Sequence, residues 1–429
     1  MKPIIRDSQA IFHAAIRSVQ PDRLLQNFDL AEAAGQPLAN FERVFVVGAG
    51  KASMAMAGAL ENLLPAQLAG GQVVVPHGYS ATLPANQRRP AVIKVLESGH
   101  PVPDEASVRA ATDALTTAQQ CGPKDLLLVL LSGGGSALWC APAAGISLAD
   151  LGHANRALLH SGAAIHEMNA VRKHLSAVKG GRLAAAAWPA TSLTIVISDV
   201  PGDDLSVIAS GPTVSDPSSF GEARAVLDRY GLWECVPESV REHLLAGVQG
   251  HIPETPGPGA NSLSRAHVRL VGTNRHALMS AAARAENLGY KPAVRCDVTG
   301  EARKVGQALA ETILTQPSRT CLLWGGETTV RVTGTGVGGR NHEVALAAAI
   351  AMEDSGRDVA VLSGGTDGVD GPTGAAGAWA TPQTVVCSET ARAALRDNDS
   401  YPFFVTAEGS IETGPTHTNV MDVIVALAA

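Results

Sequence analysis

The chain reads as an α/β protein of two domains, each with a mostly parallel sheet flanked by helices. Three observations predict this. Short apolar, often β-branched runs recur along the chain, and each stops at a loop containing Gly or Asp. Ala-rich stretches of helical character follow most of them, such as Ala277 to Asn287 and Asn341 to Glu353. At 429 residues the chain exceeds the ~250–300 residues at which single cores stop growing. Buried strands alternating with helices build parallel sheets, and ligands then collect outside the carboxyl ends of the strands.

Taken in order, an amphipathic helix is expected around Ser8 to Gln26. The strand-to-loop runs follow: RVFVVGAGK ending at Lys51, GQVVVPHG at Gly78, DLLLVLLSGGGS at Ser136, SLTIVISDVPGDD at Asp204, VRLVGTNR at Arg275, TCLLWGGETT at Thr329 and VAVLSGGTDGVDG at Gly371. The segment Val248 to His267 breaks the pattern, with prolines at 253, 256 and 258 and glycines at 250, 257 and 259. It reads as a linker or long surface loop. The boundary is placed there: a domain over 1–250, a linker over 251–259 and a second domain over 260–429, with 260–315 able to pack on either side.

Composition narrows the function classes. The net charge of -7 offers no electrostatic footprint for nucleic acid, so an anionic substrate would need a local cationic site. The 44 glycines imply many tight turns or close backbone approaches to ligands. None of the six cysteines forms a C-x-x-C pair, and they read as buried thiols in a reducing cytoplasm. The N-terminus lacks a signal peptide's continuous apolar core, and no apolar stretch reaches the ~18 residues of a membrane span.

The first glycine turn is ambiguous. Gly48-Ala49-Gly50 starts like a dinucleotide fingerprint, but the third position is Ser53 and no acid follows the run Val73 to Val75. A P-loop fails as well, with Phe45 at its first glycine position and Ala52 after the lysine. What remains is a helix N-terminus preceded by glycines, with Lys51 at its lip. That arrangement suits an anion. LSGGGSALW places Ser132, Gly133, Gly134, Gly135 and Ser136 between strand and helix, an amide nest for phosphate or carboxylate. Ser136 is not a nucleophile elbow, because Leu138 stands where glycine is required.

Asp199 falls at a strand end, where a carboxylate suits magnesium or general-base work. Asp203 and Asp204 read more plainly as turn and capping residues. Met168 to Ala184 carries Arg172, Lys173, His174, Lys179 and Arg182. This is either a solvated helix face or a surface on which Asn169, Arg172 and Lys173 bind a substrate carboxylate or phosphate. In the second half, a short strand at Thr329 to Val332 should lead into a glycine loop that opens a helix at Arg340-Asn341-His342-Glu343. Arg340 could grip a phosphoryl group or a carboxylate. Asp367 and Asp370 lie at a further strand end. One Gly-rich edge could hold nucleotide phosphates and the other a small anion.

Together these strings resemble the class II glycerate kinases, the family whose C-terminal half is the MOFRL domain. The matching strings are VVGAGKAS, SGHPVPDE, LLSGGGSALW, MNAVRKHLSAVKGGRLA, SDVPGDDLSVIASGPTVSD, GGETTV, GGRNHE, LSGGTDGVDGPTGAAGA and TGPTHTNVMD. Nine strings in order cover nearly the whole chain. The resemblance implies ATP-dependent phosphorylation of D-glycerate to 2-phosphoglycerate with Mg2+. It also implies a Rossmann-like larger N-terminal domain, a MOFRL-type C-terminal domain and an active site in the cleft between them. Carried over, Lys51 is the essential lysine, Arg340 the essential arginine and Asp199 the acid of the active centre. Gly48, Gly50, Gly325, Gly326, Glu327, Thr328, Asn341 and Asp367 join the binding residues, and Asp199, Glu327 and Asp367 are the candidate metal ligands. A homodimer is a further expectation. Some family members are labelled hydroxypyruvate reductase, so an NAD(P)H-dependent reductase is the alternative, and a non-catalytic sugar-acid sensor is a third reading.

Overall fold

The structure, a computed structural model, describes residues 2–64, 67–85 and 87–429. The chain divides into two compact units, Leu25–Val271, and Met1–Leu24 together with Gly272–Ala429. Each unit holds one six-stranded sheet flanked by helices.

The larger unit contains β1 (Arg43–Ala49), β2 (Leu68–Pro76), β3 (Lys94–Ser98), β4 (Asp125–Leu131), β5 (Thr191–Ile197) and β6 (Ala266–Gly272). Their order is β3-β2-β1-β4-β5-β6, and the β3–β2, β2–β1, β1–β4 and β4–β5 pairs are parallel. Every residue of β4 and β5 is buried, as continuous apolar strands with both faces covered should be. The strand order reverses between β1 and β4. In a doubly wound sheet that reversal opens a crevice at the carboxyl ends. The loops of Gly50 and Gly133 begin there.

The smaller unit contains β7 (Lys291–Glu301), β8 (Thr320–Thr329), β9 (Val359–Gly365), β10 (Gly377–Ala380), β11 (Ser410–Ile411) and β12 (Asp422–Ala428), in the order β11-β10-β9-β12-β8-β7. Strands β7, β8 and β9 run the same way. Strand β12 lies between β8 and β9, antiparallel to both, and β10 reverses direction on β9. The carboxyl ends of β8 and β9 therefore share an edge with the amino end of β12, where Asp422 is paired in register with Gly326 and Gly365.

The units part at other places than the sequence boundary. The expected helix at Ser8 to Gln26 is Pro3–Ser18, followed by Pro21–Leu25. Its buried stripe is Ile4, Ile5, Ser8, Ile11, Phe12, Ala15 and Ile16, spaced three and four apart. Phe12 fills the space over Gly364, where an added Cβ would lie 2.5 Å from the ring. The N-terminus thus packs with the C-terminal half. The Pro/Gly-rich segment 251–259 is not a linker but a strap inside the larger unit. The Phe220 amide donates to Glu254, Thr255 Oγ1 donates to Asp216 Oδ2 at 3.0 Å, and the Asp216 amide donates to Pro256 O at 2.9 Å. The chain leaves β6 at Gly272, and Thr273 caps the next helix, Asn274–Asn287.

Two local expectations also change. No strand forms at Thr329–Val332, because β8 runs through Gly325-Gly326 to Thr329 and residues 330–339 form a loop. Cys121, Cys140 and Cys321 are buried, but Cys235 and Cys387 are exposed. Among the described residues, no helix is long and apolar enough to cross a membrane.

Candidate active site

At the β1/β4 edge the two glycine loops are tied together. The Lys51 amide donates to Gly133 O at 2.9 Å, the Ala52 amide to Ser132 Oγ at 2.9 Å, and the Ser132 amide to Ala49 O at 3.2 Å. Gly50 has φ 135°, and a Cβ there would lie 2.2 Å from Ser132 Oγ, so only glycine permits this approach. Gly48 is also confined, since a Cβ there would lie 2.8 Å from Leu130 O. These bonds occupy donors that a bound anion would otherwise use. The open donors are on the β4 loop: among the described residues, the amides of Gly133 and Gly134 carry no hydrogen bond. Lys51 and Asp199 are both half-buried at the carboxyl edge of this sheet, after β1 and β5. Asp204 caps its own turn, its Oδ1 accepting the Ser206 amide at 2.8 Å.

The helix Ile165–His174 carries Asn169, Arg172 and Lys173. Lys173 is buried and paired with the buried Asp216 at 3.3 Å, so it ties this helix to the segment that leads into the helix Phe220–Arg229. Asn169 is buried with an unbonded Nδ2. Both Asn169 and Lys173 line a cavity of about 410 Å³. Arg172 donates to Asn155 Oδ1 at 3.2 Å, and burial lowers its pKa. Lys179, left on the plain helix face by sequence reasoning, turns inward. It is buried and donates to Ser136 O at 3.0 Å and Ser136 Oγ at 3.3 Å. Burial pulls its pKa down to about 8.

In the smaller unit the site residues converge on the β8/β12 edge. Arg340 begins the helix Arg340–Met352. Its Nε and Nη2 donate to Asp422 at 2.6 and 3.0 Å, and its Nη1 to Glu327 Oε1 at 2.7 Å. Two of its five N–H donors remain. Asp422 is buried, and burial raises its carboxyl to about 6 although Arg340 and Asn341 oppose this. Asn341 Nδ2 bridges Asp370 Oδ1 and Asp422 Oδ1 at 3.3 and 3.0 Å. Asp370 receives the amides of Asn341 and His342, so a carboxylate of the chain itself is the anion at this helix N-terminus.

Gly325 and Gly326 lie in the strand rather than a loop. A Cβ on Gly325 would meet Asn274 Oδ1 at 1.9 Å, and one on Gly326 would meet Val298 O at 2.2 Å. Thr328 is buried with an unbonded hydroxyl. Asp367 sits just past β9, its Oδ1 accepting the Val369 amide at 3.1 Å. The glycine loop before Arg340 is not an open phosphate cradle. Its amides at Thr333, Gly334, Thr335, Gly336 and Val337 donate to Asn398, Asp397 and Asp399. Asn398 Nδ2 in turn donates to the buried Glu343 at 2.6 Å.

The structure thus gathers Gly48, Gly50, Lys51, Ser132–Ser136 and Asp199 at one sheet edge. It gathers Gly325–Thr328, Arg340, Asn341 and Asp367 at the other. Sequence reasoning missed Lys179, Asp422 and Asn398. Lys179 and Asp422 lie inside matched strings, which was the available signal. Among the described residues, no three His, Cys, Asp or Glu side chains converge as a ready metal cage.

Comparison with known proteins adds the family. A family model described as a domain of unknown function (DUF4147) matches residues 7–245, and the MOFRL family matches residues 320–422. A protein from Agrobacterium vitis, provisionally named a hydroxypyruvate reductase, is 42% identical over 96% of this chain and 92% of its own. A glycerate 2-kinase from Pyrococcus horikoshii is 38% identical over 96% of this chain and 94% of its own. The crystal structure of a glycerate kinase from Thermotoga maritima superposes with a TM-score of 0.85 at 36% identity, covering 99% of both chains. With both halves matched and full-length likeness at these identities, the chain belongs to the glycerate kinase family whose C-terminal part is the MOFRL domain.

Proposed function

We propose that the protein is a glycerate 2-kinase, transferring the γ-phosphoryl group of ATP to the 2-hydroxyl of D-glycerate. One observation carries the reading. At the β1/β4 edge, unbonded glycine amides stand with Lys51 and the buried Lys179, an arrangement of donors and cations suited to a small anion and a transferring phosphoryl group. The relatives named as glycerate 2-kinases support it.

In this reading Asp199 accepts the proton of the 2-hydroxyl. The hydroxyl oxygen forms the new bond to phosphorus, the bond from that phosphorus to the bridging oxygen breaks, and ADP leaves. Lys51 holds the charge that spreads over the phosphoryl oxygens, and Arg340 offers its two open N–H groups to an anion at the sheet edge of the smaller unit. Phosphoryl transfer asks the protein mainly for positioning and charge, which these groups supply.

The residues present fit a nucleotide with magnesium. The open amides of Gly133 and Gly134 suit phosphate oxygens. Magnesium is usually held by one or two carboxylates plus substrate phosphates. The candidate carboxylates are Asp199 in the larger unit and Glu327 and Asp367 in the smaller, and the metal would supply Lewis-acid charge to the phosphates. The unpaired thiols agree with a cytoplasmic location.

The reductase name of one relative meets a contrary feature. Strand β2 ends at Pro76 and is followed by His77 and Gly78, so the strand itself carries no acid at its tip to receive a ribose. Two mixtures test the proposal: protein with D-glycerate, ATP and magnesium, and protein with hydroxypyruvate and NADH. ADP formation dependent on D-glycerate is expected. NADH oxidation alone would overturn the kinase reading, and binding of D-glycerate without any turnover would favour a sensor.

A further inference from the structure

Among the described residues, Lys179 and Arg172 are inward cations that form no ion pair with a carboxylate. Lys173, Arg303 and Arg340 each have one, at 3.3 Å from Asp216, 3.3 Å from Glu343 and 2.6 Å from Asp422, while Arg182 lies near the carboxylates of Glu254 and Asp216 and Arg357 donates to the carbonyls of Leu314 and Gln316. Lys179 is only 9% exposed and bonds two neutral oxygens, both of Ser136. An ammonium has three donors, so one N–H is left. Arg172 uses only its Nε, on Asn155, and among the described residues its two Nη groups carry no hydrogen bond. The two side chains are near enough for Arg172 to disfavour the charge on Lys179. Buried charges are ordinarily paired, and two like charges without a partner call for an external anion.

The surroundings hold this pair in place. The amides of Gly180 and Gly181 donate to Ser210 O and Gly211 O at 3.1 and 2.7 Å. Ser210 Oγ bonds Ser136 Oγ at 2.7 Å. Ala209 and Ser210 both adopt left-handed backbone, with φ 50° and 60°. Such strain in residues other than glycine persists where surrounding structure enforces it, commonly at ligand sites.

We propose that Lys179 and Arg172 together receive the carboxylate of the acceptor substrate, with Ser136 and Ser210 fixing the lysine. The identity of that acceptor as D-glycerate rests on the reading above, whereas the anion subsite rests on the uncompensated pair. The open planar fork of Arg172 matches the two oxygens of a carboxylate, and the remaining N–H of Lys179 adds a third bond. The groups that face Lys179 are Arg172, which stays charged, the Cys140 thiol, whose pKa burial raises, and two serines that do not titrate. The lysine should therefore lose its proton, and the carboxylate its partner, as pH rises through about 8.

The test uses the full chain with K179M, K179R and R172Q, first by calorimetric titration with D-glycerate and then by steady-state kinetics. K179M and R172Q should each weaken D-glycerate binding and raise its KM by about 30-fold or more, the loss typical of removing one partner of a buried charged contact. The KM for ATP should move less than about twofold, since a contact to one substrate should not alter binding of the other. K179R should recover most of the affinity. D-Glycerate affinity of the parent should fall above pH 8, and that fall should be absent in K179R. R172Q keeps the test open if K179M does not fold. Unchanged D-glycerate affinity in the folded variants, a parent that binds no D-glycerate, or a rise in the KM for ATP instead would each overturn the proposal. Lys179-dependent binding without ADP formation in the parent would uphold the subsite and reject the kinase reading.

Discussion

Replacing Arg340 by Met separates what the arginine does for stability from what it does for chemistry. The change removes three charge-assisted hydrogen bonds, two to Asp422 at 2.6 and 3.0 Å and one to Glu327 at 2.7 Å. Asp422 is 2% exposed, so its charge is left in the interior. Removing one partner of a buried pair costs about 3–5 kcal/mol. Asp422 moderates the loss, because burial holds its carboxyl at about 6 even beside Arg340. Without the arginine it rises further and takes a proton at neutral pH. The expected loss is therefore near the low end, about 3 kcal/mol, read from urea unfolding. Adding D422N removes the buried charge, so R340M/D422N should regain about 2 kcal/mol of that loss. Turnover should behave differently. Losing a preorganised donor to the transition state lowers kcat by about 10²–10³, and D422N cannot restore it. A double variant with kcat within about tenfold of the parent would refute a direct role for Arg340.

Other perturbations have equally definite outcomes. Lys51→Ala should lower kcat by about 10² or more while leaving the thermal midpoint within about 2 °C, and near-parental turnover would remove Lys51 from the chemistry. Gly50→Ala places a Cβ 2.2 Å from Ser132 Oγ at φ 135°. It should cost at least about 1–3 kcal/mol from backbone strain and depress activity with it, whereas an unperturbed variant would mean the loops are not tightly joined. Asp422 has a folded pKa above its ordinary value, so its stabilising contribution is complete below pH 3.8 and declines as pH rises through about 6. Its grip on Arg340 runs the other way and strengthens on ionisation. Activity should therefore gain an acidic limb near pH 6 that D422N abolishes, and a limb unchanged in D422N would assign it elsewhere. Asn398→Ala frees the amides of Thr333 and Gly334 and leaves Glu343 without its 2.6 Å donor, so hydrogen exchange across residues 333–339 should accelerate. Unchanged protection there would contradict the anchoring role.

Much of this architecture is legible in the sequence where strand direction and loop chemistry coincide. The seven runs that end at Gly or Asp become β1, β2, β4, β5, β6, β8 and β9. Strand β12 is as apolar as any of them, yet it escapes the pattern because it is antiparallel and begins, rather than ends, at its functional residue, Asp422. Strand β7 is mostly exposed and shows no apolar run. Gly325-Gly326 resembles a loop in one dimension. In three dimensions it is strand, thinned so that Asn274 and the β7 backbone can approach. The unit boundary was hidden for a related reason, since the packing of Phe12 over Gly364 joins residues far apart in sequence.

The site divides along the same line. Lys51, the SGGGS loop, Asp199 and Arg340 announce themselves by position at strand and helix ends. Lys179 has the local sequence of a helix-end lysine, and only the fold of Gly180-Gly181 onto Ser210-Gly211 turns it inward. Lys173 carries the same charge in the same string, but Asp216 is its partner. The glycines at 334, 336 and 338 suggest a phosphate loop, yet each would place a Cβ within 2.4 Å of residues 397–400, against which the loop is packed.

The most direct test of the central claim is the phosphorus spectrum of the product formed from D-glycerate, ATP and magnesium. Transfer to the 2-hydroxyl puts phosphate on a carbon bearing one hydrogen, and the product signal should be a doublet that disappears with Lys51→Ala. A triplet, from phosphate on the terminal carbon, would contradict the assigned hydroxyl. Absence of any new phosphate ester, together with NADH-dependent reduction of hydroxypyruvate, would contradict the kinase itself.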